Sequence, residues 1–201
     1  MCHPCLMKRK LVWSAVGLAI AAVVVIGLIQ AGGETSQPKS KAATPVDAKR
    51  ALAGAPAPLA ALHRQSDQLL GGGEKAFDAR IASLEAYPVV VNKWASWCGP
   101  CRFEFPSFQS LGVKYGKQVA FVGLNAGDNR GDAAKFVKKF PVSYPSYEDP
   151  DEKIARSIRA PSNYPITVFY DRRGKIVFVH QGGYPNEAKL EEDIRRYALN
   201  T

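Results

Sequence analysis

The sequence predicts an α/β domain, a mixed central sheet covered by helices on both faces, behind one N-terminal transmembrane helix. Three observations lead there. A charge-free apolar run occupies 11–29; apolar, β-branched runs at 89–94 and 119–124 alternate with segments of helical spacing; and two further runs, 166–170 and 175–180, flank Asp171-Arg172-Arg173-Gly174. Alternating strands and helices that finish in a hairpin place parallel and antiparallel strands in one sheet, with helices on either side.

A chain of 201 residues suffices for one domain plus accessory segments. The run 11–29 has Ser14 as its one hydroxyl and spans roughly 28 Å as a helix, close to the hydrocarbon thickness of a bilayer. Lys8, Arg9 and Lys10 precede it and the first charge after it is Glu34, so residues 1–10 form a cytoplasmic tail and the remainder lies outside the cell membrane. Trp13 falls at the inner headgroup level. A cleaved signal peptide has a shorter apolar core, about 7–15 residues, and Ile29-Gln30-Ala31 is a poor cleavage site. A single-pass anchor is therefore preferred; cleavage would make the domain secreted. In the tail, Cys2-His3-Pro4-Cys5 has no second ligand pair to close a zinc site, which leaves inert thiols or acylation sites.

Residues 30–58, rich in Ala, Pro, Ser, Thr and Lys without apolar periodicity, read as a flexible linker. The domain follows over 59–201, with its core from about 75. A short helix is expected over 59–70, ended by Gly71-Gly72-Gly73, and another over 77–84, running into Pro88. The inner strand 89–94 comes next, then a helix over 100–115 closed by Gly116, then the strand 119–124. Ala133, Phe136, Val137 and Phe140 share one face of a helix over 132–140. Asp149 or Asp151 can cap a short helix through Ile158, and Asn186 caps a final one to about 199. In the hairpin, Gly174 supplies the position where φ turns positive.

The formal net charge of +9 does not indicate nucleic acid. Three of the cations are juxtamembrane, others alternate with acids (Lys138, Lys139, Glu148, Asp149, Asp151, Glu152, Lys153), and no basic stripe is interleaved with aromatics. Beyond residue 30 there are two cysteines, Cys98 and Cys101, which excludes a multi-disulfide scaffold.

Position gives that pair its chemistry. The strand ends near Trp94, so Cys98 falls at the start of the next helix, where the helix dipole and unpaired N–H groups stabilise a thiolate. Cys98 is the attacking sulfur. Cys101, one turn further in, faces it, can close a small disulfide ring and is the resolving thiol. Pro100 presets φ in the first turn, and Gly99 leaves room for a partner's backbone. A zinc half-site needs two more ligands, but His3, His63 and His180 are scattered; a disulfide across so short a loop restricts the unfolded chain little. Redox chemistry remains.

Trp94-Ala95-Ser96-Trp97-Cys98-Gly99-Pro100-Cys101-Arg102, followed by Glu104 and Pro106, resembles the thioredoxin fold, and more narrowly the exported, membrane-anchored TlpA- and ResA-like thiol–disulfide oxidoreductases. The resemblance runs from Phe77 to the C-terminus. It implies a thioredoxin-like sandwich, exchange through a mixed disulfide and no cofactor. It also implies exported protein thiols or disulfides as substrates, apocytochrome c among them, and a membrane electron donor of the CcdA/DsbD type. In that family the place of Glu104 holds a carboxylate that handles the proton of the buried thiol, as a partly buried acid of raised pKa can. Pro165 takes the place of a cis-proline opposite the cysteines. Tyr164 before it would offer its backbone to a substrate strand, with its ring and Trp97 bordering the groove.

Three residues depart from the pattern. Asn92 stands where cytoplasmic thioredoxins carry a buried aspartate, which leaves the proton role to Glu104. Lys93 replaces an aromatic and must reach solvent or pair with an acid. Ile166 follows the proline where threonine is common. The direction of electron flow stays open, since potential and partner set it; an oxidase that donates disulfides is the alternative. From another class, Sco-like copper carriers share the fold but space their cysteines C-x-x-x-C, and His180 reads as an ordinary strand residue. Trp97 and Pro100 crowd the position at which a peroxiredoxin would receive peroxide.

Overall fold

The computed structural model describes residues 44–161 and 163–200; the predicted span 11–29, Cys2 and Cys5 lie outside them. Among the described residues no helix is long and apolar enough to cross a membrane. Six strands among them form one sheet: β1 (Leu69–Leu70), β2 (Val89–Trp94), β3 (Ala120–Ala126), β4 (Ser146–Asp149), β5 (Ile166–Tyr170) and β6 (Ile176–Gln181), in the order β1-β4-β3-β2-β5-β6. The pairs β1/β4, β4/β3 and β3/β2 are parallel, while β2/β5 and β5/β6 are antiparallel. The central strand β2 is buried at every position, as its unbroken apolar start requires.

Because strand side chains alternate, β2 feeds two apolar layers. Val90 and Trp94 pack with Cys98, Cys101, Phe105, Phe108 and Leu111 of the long helix α4 (Gly99–Tyr115). Phe136 of α5 (Arg130–Lys139) and Leu190 of α7 (Glu187–Asp193) complete that layer, and α7 continues into a wider π-helical turn, Ile194–Leu199. Val89 and Val91 face the other layer, with Leu59 and Leu62 of α2 (Ala57–His63), Phe77 of α3 (Gly73–Ser83) and Ile154 of α6 (Lys153–Ser157).

Several expectations are corrected. The segment read as linker through residue 58 holds α1 (Pro45–Ala51) and the start of α2. Its prolines suggested a linker, but Pro45 and Pro58 occupy first turns, where the missing N–H costs no hydrogen bond. Thr44 caps α1 by accepting from Asp47 N (3.2 Å), and Leu52, Leu59 and Leu62 are buried. The helix expected over 59–70 stops at His63, and Leu69–Leu70 is an edge strand. Gly73 opens α3 instead of standing clear of it, with Gly72 at φ +100° as its cap. Strand β4 lay unrecognised in a polar stretch.

Other details gain a physical cause. Gly116 ends α4, but not by a left-handed turn: a Cβ there would lie 2.4 Å from Gly112 O and 2.6 Å from Leu52 Cδ2. The Gly112 carbonyl is backbone of α4 itself and cannot give way, so the position demands the glycine. Asp149 caps α6 from the end of β4, its carboxylate accepting from Ile154 N (3.1 Å) and Ala155 N (2.8 Å). Gly174 sits at φ +71° in the hairpin, and Asn186 accepts from Lys189 N (2.9 Å) at the start of α7.

Candidate active site

After β2 the chain turns at once into α4, with Cys98 N donating to Ala95 O (3.1 Å). Cys98 occupies the N-cap, and its sulfur accepts from Cys101 N (3.2 Å). The two sulfurs are joined in a disulfide with Cα atoms 5.4 Å apart. On reduction that same N–H and the positive end of a 17-residue helix would face a thiolate at Cys98, which favours the ionised nucleophile. Cys101 is fully buried. The rim above is open: Gly99 and Pro100 are exposed, a Cβ on Gly99 would meet nothing within 4 Å, and Trp97 is 57% exposed.

One turn below Cys101 lies Glu104, 1% exposed. Tyr184 N donates to its Oε2 (3.2 Å), while Oε1 has no hydrogen-bond donor at bonding distance. Burial raises the carboxyl pKa to about 8; the Tyr184 amide and the neighbouring Asn92 side chain pull the other way and only partly offset it. The buried Tyr144 hydroxyl, pushed well above its usual range by desolvation, completes this pocket. Asn92, which the sequence marked as a departure, is thus a neutral neighbour of the acid and not a second one.

The Tyr164–Pro165 bond is cis. Pro165 borders the cysteine turn: a Cβ on Gly183 would lie 3.5 Å from Pro100 Cβ, 3.7 Å from Pro165 Cγ and 3.9 Å from Glu104 Oε2. Tyr164 meets Trp97 edge to face with ring centroids 4.7 Å apart, and Trp97 Nε1 donates to Gly127 O (3.0 Å). Hence Cys98, Cys101, Glu104, Trp97, Gly99, Pro100, Tyr164 and Pro165 gather at one end of the sheet, beyond β2 and the start of β5.

Sequence reasoning missed the residues that hold this end together. Asp128, in the loop after β3, accepts from Ser96 N (2.6 Å), Ser96 Oγ (2.9 Å) and Asn125 Nδ2 (2.9 Å). It fixes the turn that presents Cys98. Glu152 joins Lys93 and Tyr164, and Gly183 leaves room between the two prolines. These residues come from loops far apart in sequence, and none carries a local motif; only the unexplained Lys93 pointed toward an acid. Lys93 does pair with one. His180, in β6, stacks on Tyr184 (4.0 Å between centroids) and lies 3.6 Å from Asp193, with burial lowering its pKa. Among the described residues no group of three or more His, Cys, Asp or Glu is placed to hold a metal ion.

A mixed sheet with its redox sulfurs at the N-terminus of the central helix, beside a cis-proline, defines a thioredoxin-like thiol–disulfide oxidoreductase. The chain belongs to the AhpC/TSA family, whose profile matches residues 54–179. It is similar to the thiol–disulfide oxidoreductase ResA of Geobacillus kaustophilus, 26% identical over 124 residues, 61% of this chain and 68% of that protein. It is also similar to the thioredoxin-like protein YneN of Bacillus subtilis, 31% identical over 130 residues, 60% of this chain and 72% of that one. ResA of Halalkalibacterium halodurans is 31% identical over 115 residues, covering 56% of this chain and 63% of the relative. These matches span about two thirds of the relatives' own length. Among solved structures, a secreted Mycobacterium tuberculosis disulfide oxidoreductase homologous to E. coli DsbE superposes with a TM-score of 0.52 at 26% identity, over 57% of this chain and 85% of that one.

Proposed function

We propose that this protein reduces disulfides in proteins on the outer side of a membrane, with oxidised apocytochrome c as one substrate, and is recharged by a membrane dithiol donor of the CcdA/DsbD type. The observation that carries the exchange chemistry is the Cys98–Cys101 pair at the N-terminus of α4 beside cis-Pro165, with the buried Glu104 carboxyl, its pKa raised to about 8, one helical turn below the resolving sulfur. In the reduced protein the Cys98 thiolate attacks a substrate disulfide. One substrate sulfur leaves as a thiolate and takes a proton from solvent, and the other is held in a mixed disulfide with Cys98. Glu104 accepts the proton of Cys101, whose thiolate attacks the Cys98 sulfur and expels the second substrate sulfur as a thiolate, which takes that proton from Glu104 and leaves as a thiol. Two electrons pass to the substrate, and the Cys98–Cys101 disulfide is formed.

Trp97, Tyr164 and the backbone around cis-Pro165 are the proposed substrate-binding wall, with Gly99 and Pro100 as its open floor. The apolar run 11–29 and its Lys8-Arg9-Lys10 flank support an anchored, outward-facing domain. The names of the relatives, thiol–disulfide oxidoreductase above all, support the exchange chemistry. The test uses the full chain with Cys101→Ser, which should accumulate mixed disulfides through Cys98 and lose catalytic turnover on insulin. Absence of both trapped partners and insulin reduction by the unmodified chain would end the proposal. The direction is tested by the redox potential: a value near about −270 mV fits a reductant, and one near about −120 mV would make the protein a disulfide donor.

A further inference from the structure

Lys93 lies in the centre of the sheet with its side chain wholly out of solvent. A lysine there is costly unless its ammonium is both paired and fully hydrogen-bonded. It is. Nζ donates to Pro161 O (2.6 Å), to Ala160 O (2.9 Å) and to Glu152 Oε2 (3.4 Å), so its three N–H groups have three acceptors. The Tyr164 ring lies over it, 3.9 Å from Nζ to the centroid, close enough for a cation–π contact.

The partners of Lys93 lead straight to the groove. Tyr164 Oη donates to the other Glu152 oxygen (2.7 Å), so Glu152 grips both the ammonium and the ring that covers it. Gly127 sits against the pair at φ +57°; a Cβ there would lie 2.7 Å from Tyr164 Oη and 2.8 Å from Glu152 Oε1. Its carbonyl holds the Trp97 indole. One buried charge therefore ties β2 to the two carbonyls upstream of cis-Pro165, and through Tyr164 and Gly127 to the aromatic beside Cys98. An apolar side chain could fill the same volume. It could not satisfy the Ala160 and Pro161 carbonyls, which would be free to swing away.

The alternation of β2 puts the Lys93 ammonium in a different layer from the sulfurs. Asn92 and Glu104 occupy the layer that contains Cys98 and Cys101, whereas Lys93 points into the layer of Val89, Val91 and Ala160. We infer that Lys93 is a positioning residue for the substrate groove: it fixes the backbone before cis-Pro165 and the Trp97–Tyr164 wall, and so favours extended polypeptide disulfides over small ones. The inference rests on the exchange reaction proposed above.

The test compares the full chain with Lys93→Met and Glu152→Gln on two disulfides, insulin and hydroxyethyl disulfide, and follows the pH profile of Cys98 alkylation in the reduced proteins. For Lys93→Met, KM for insulin should rise about tenfold, equivalent to about 1.4 kcal/mol of lost binding, and selectivity for insulin over the small disulfide should fall by the same factor. The alkylation profile should stay where it is. Glu152, 28% exposed and at the surface end of the network, gives a milder variant that keeps the side-chain shape. If Lys93→Met does not fold, Glu152→Gln should still lower the selectivity, by about threefold. Equal losses on both substrates, a displaced alkylation profile, or unchanged selectivity in every variant that folds would each overturn the inference. If the unmodified chain reduces neither disulfide, it is the exchange reaction itself that fails.

Discussion

Glu104 and Lys93 are buried on opposite sides of the same central strand, and the protein treats them in opposite ways. The lysine is given an acceptor for every N–H, a carboxylate and an aromatic face. The glutamate receives one backbone N–H and no cation, so burial moves its pKa to about 8. A charge that is fully paired is held in one place and can hold others; an acid left almost alone is moved into the pH range where thiols exchange protons. In the proposed mechanism the first arrangement gives geometry and the second gives chemistry.

The largest test of that contrast is the pH dependence of stability. Folded Glu104 keeps its proton to about 8 while the unfolded carboxyl releases it near 4.5, so its contribution is complete below pH 4.5 and is lost as pH rises to about 8. The expected slope is about 1.4 kcal/mol per pH unit across that window. Glu104→Gln should flatten it, as urea unfolding of the oxidised protein at several pH values would register. Next in size is Lys93→Met, expected to cost about 3 kcal/mol because it takes from the Ala160 and Pro161 carbonyls their donor and from Glu152 its cation. Adding Glu152→Gln should return part of that loss, and a double-mutant cycle measures how much.

Smaller effects sharpen the same picture. Gly127→Ala forces a side chain into a left-handed φ and against Tyr164 and Glu152, at a cost of about 2 kcal/mol in thermal or urea unfolding. Asp128→Ala frees the Ser96 amide and hydroxyl, at about 1 kcal/mol, and should slow exchange without moving the Glu104 inflection.

Much of this was legible in the sequence where the signal was local. The valines of β2, the Cys98-Gly99-Pro100-Cys101 turn, the Asn186 cap and the Gly174 hairpin each declare themselves within a few residues. The N-terminal helices did not, because Pro45 and Pro58 serve a linker and a helix start equally well. Strand β1 is two residues long and exists only by pairing with β4, whose sequence Ser146–Asp149 has no apolar alternation to mark it. The site divides the same way. Glu104 shares a helix with the cysteines and follows from spacing and resemblance, whereas Asp128, Glu152 and Gly183 reach the site through the topology of the sheet. Lys93 was visible as an anomaly, and its partner was not.

The central claim is that Glu104 takes the proton that lets Cys101 resolve the mixed disulfide. The direct measurement is the rate at which a mixed disulfide on Cys98 of the full chain is resolved, followed by stopped flow from pH 5 to 10. The unmodified protein should show a rise with an inflection near 8, and Glu104→Gln should be slower and lack it. Superimposable profiles for the two proteins would contradict the account.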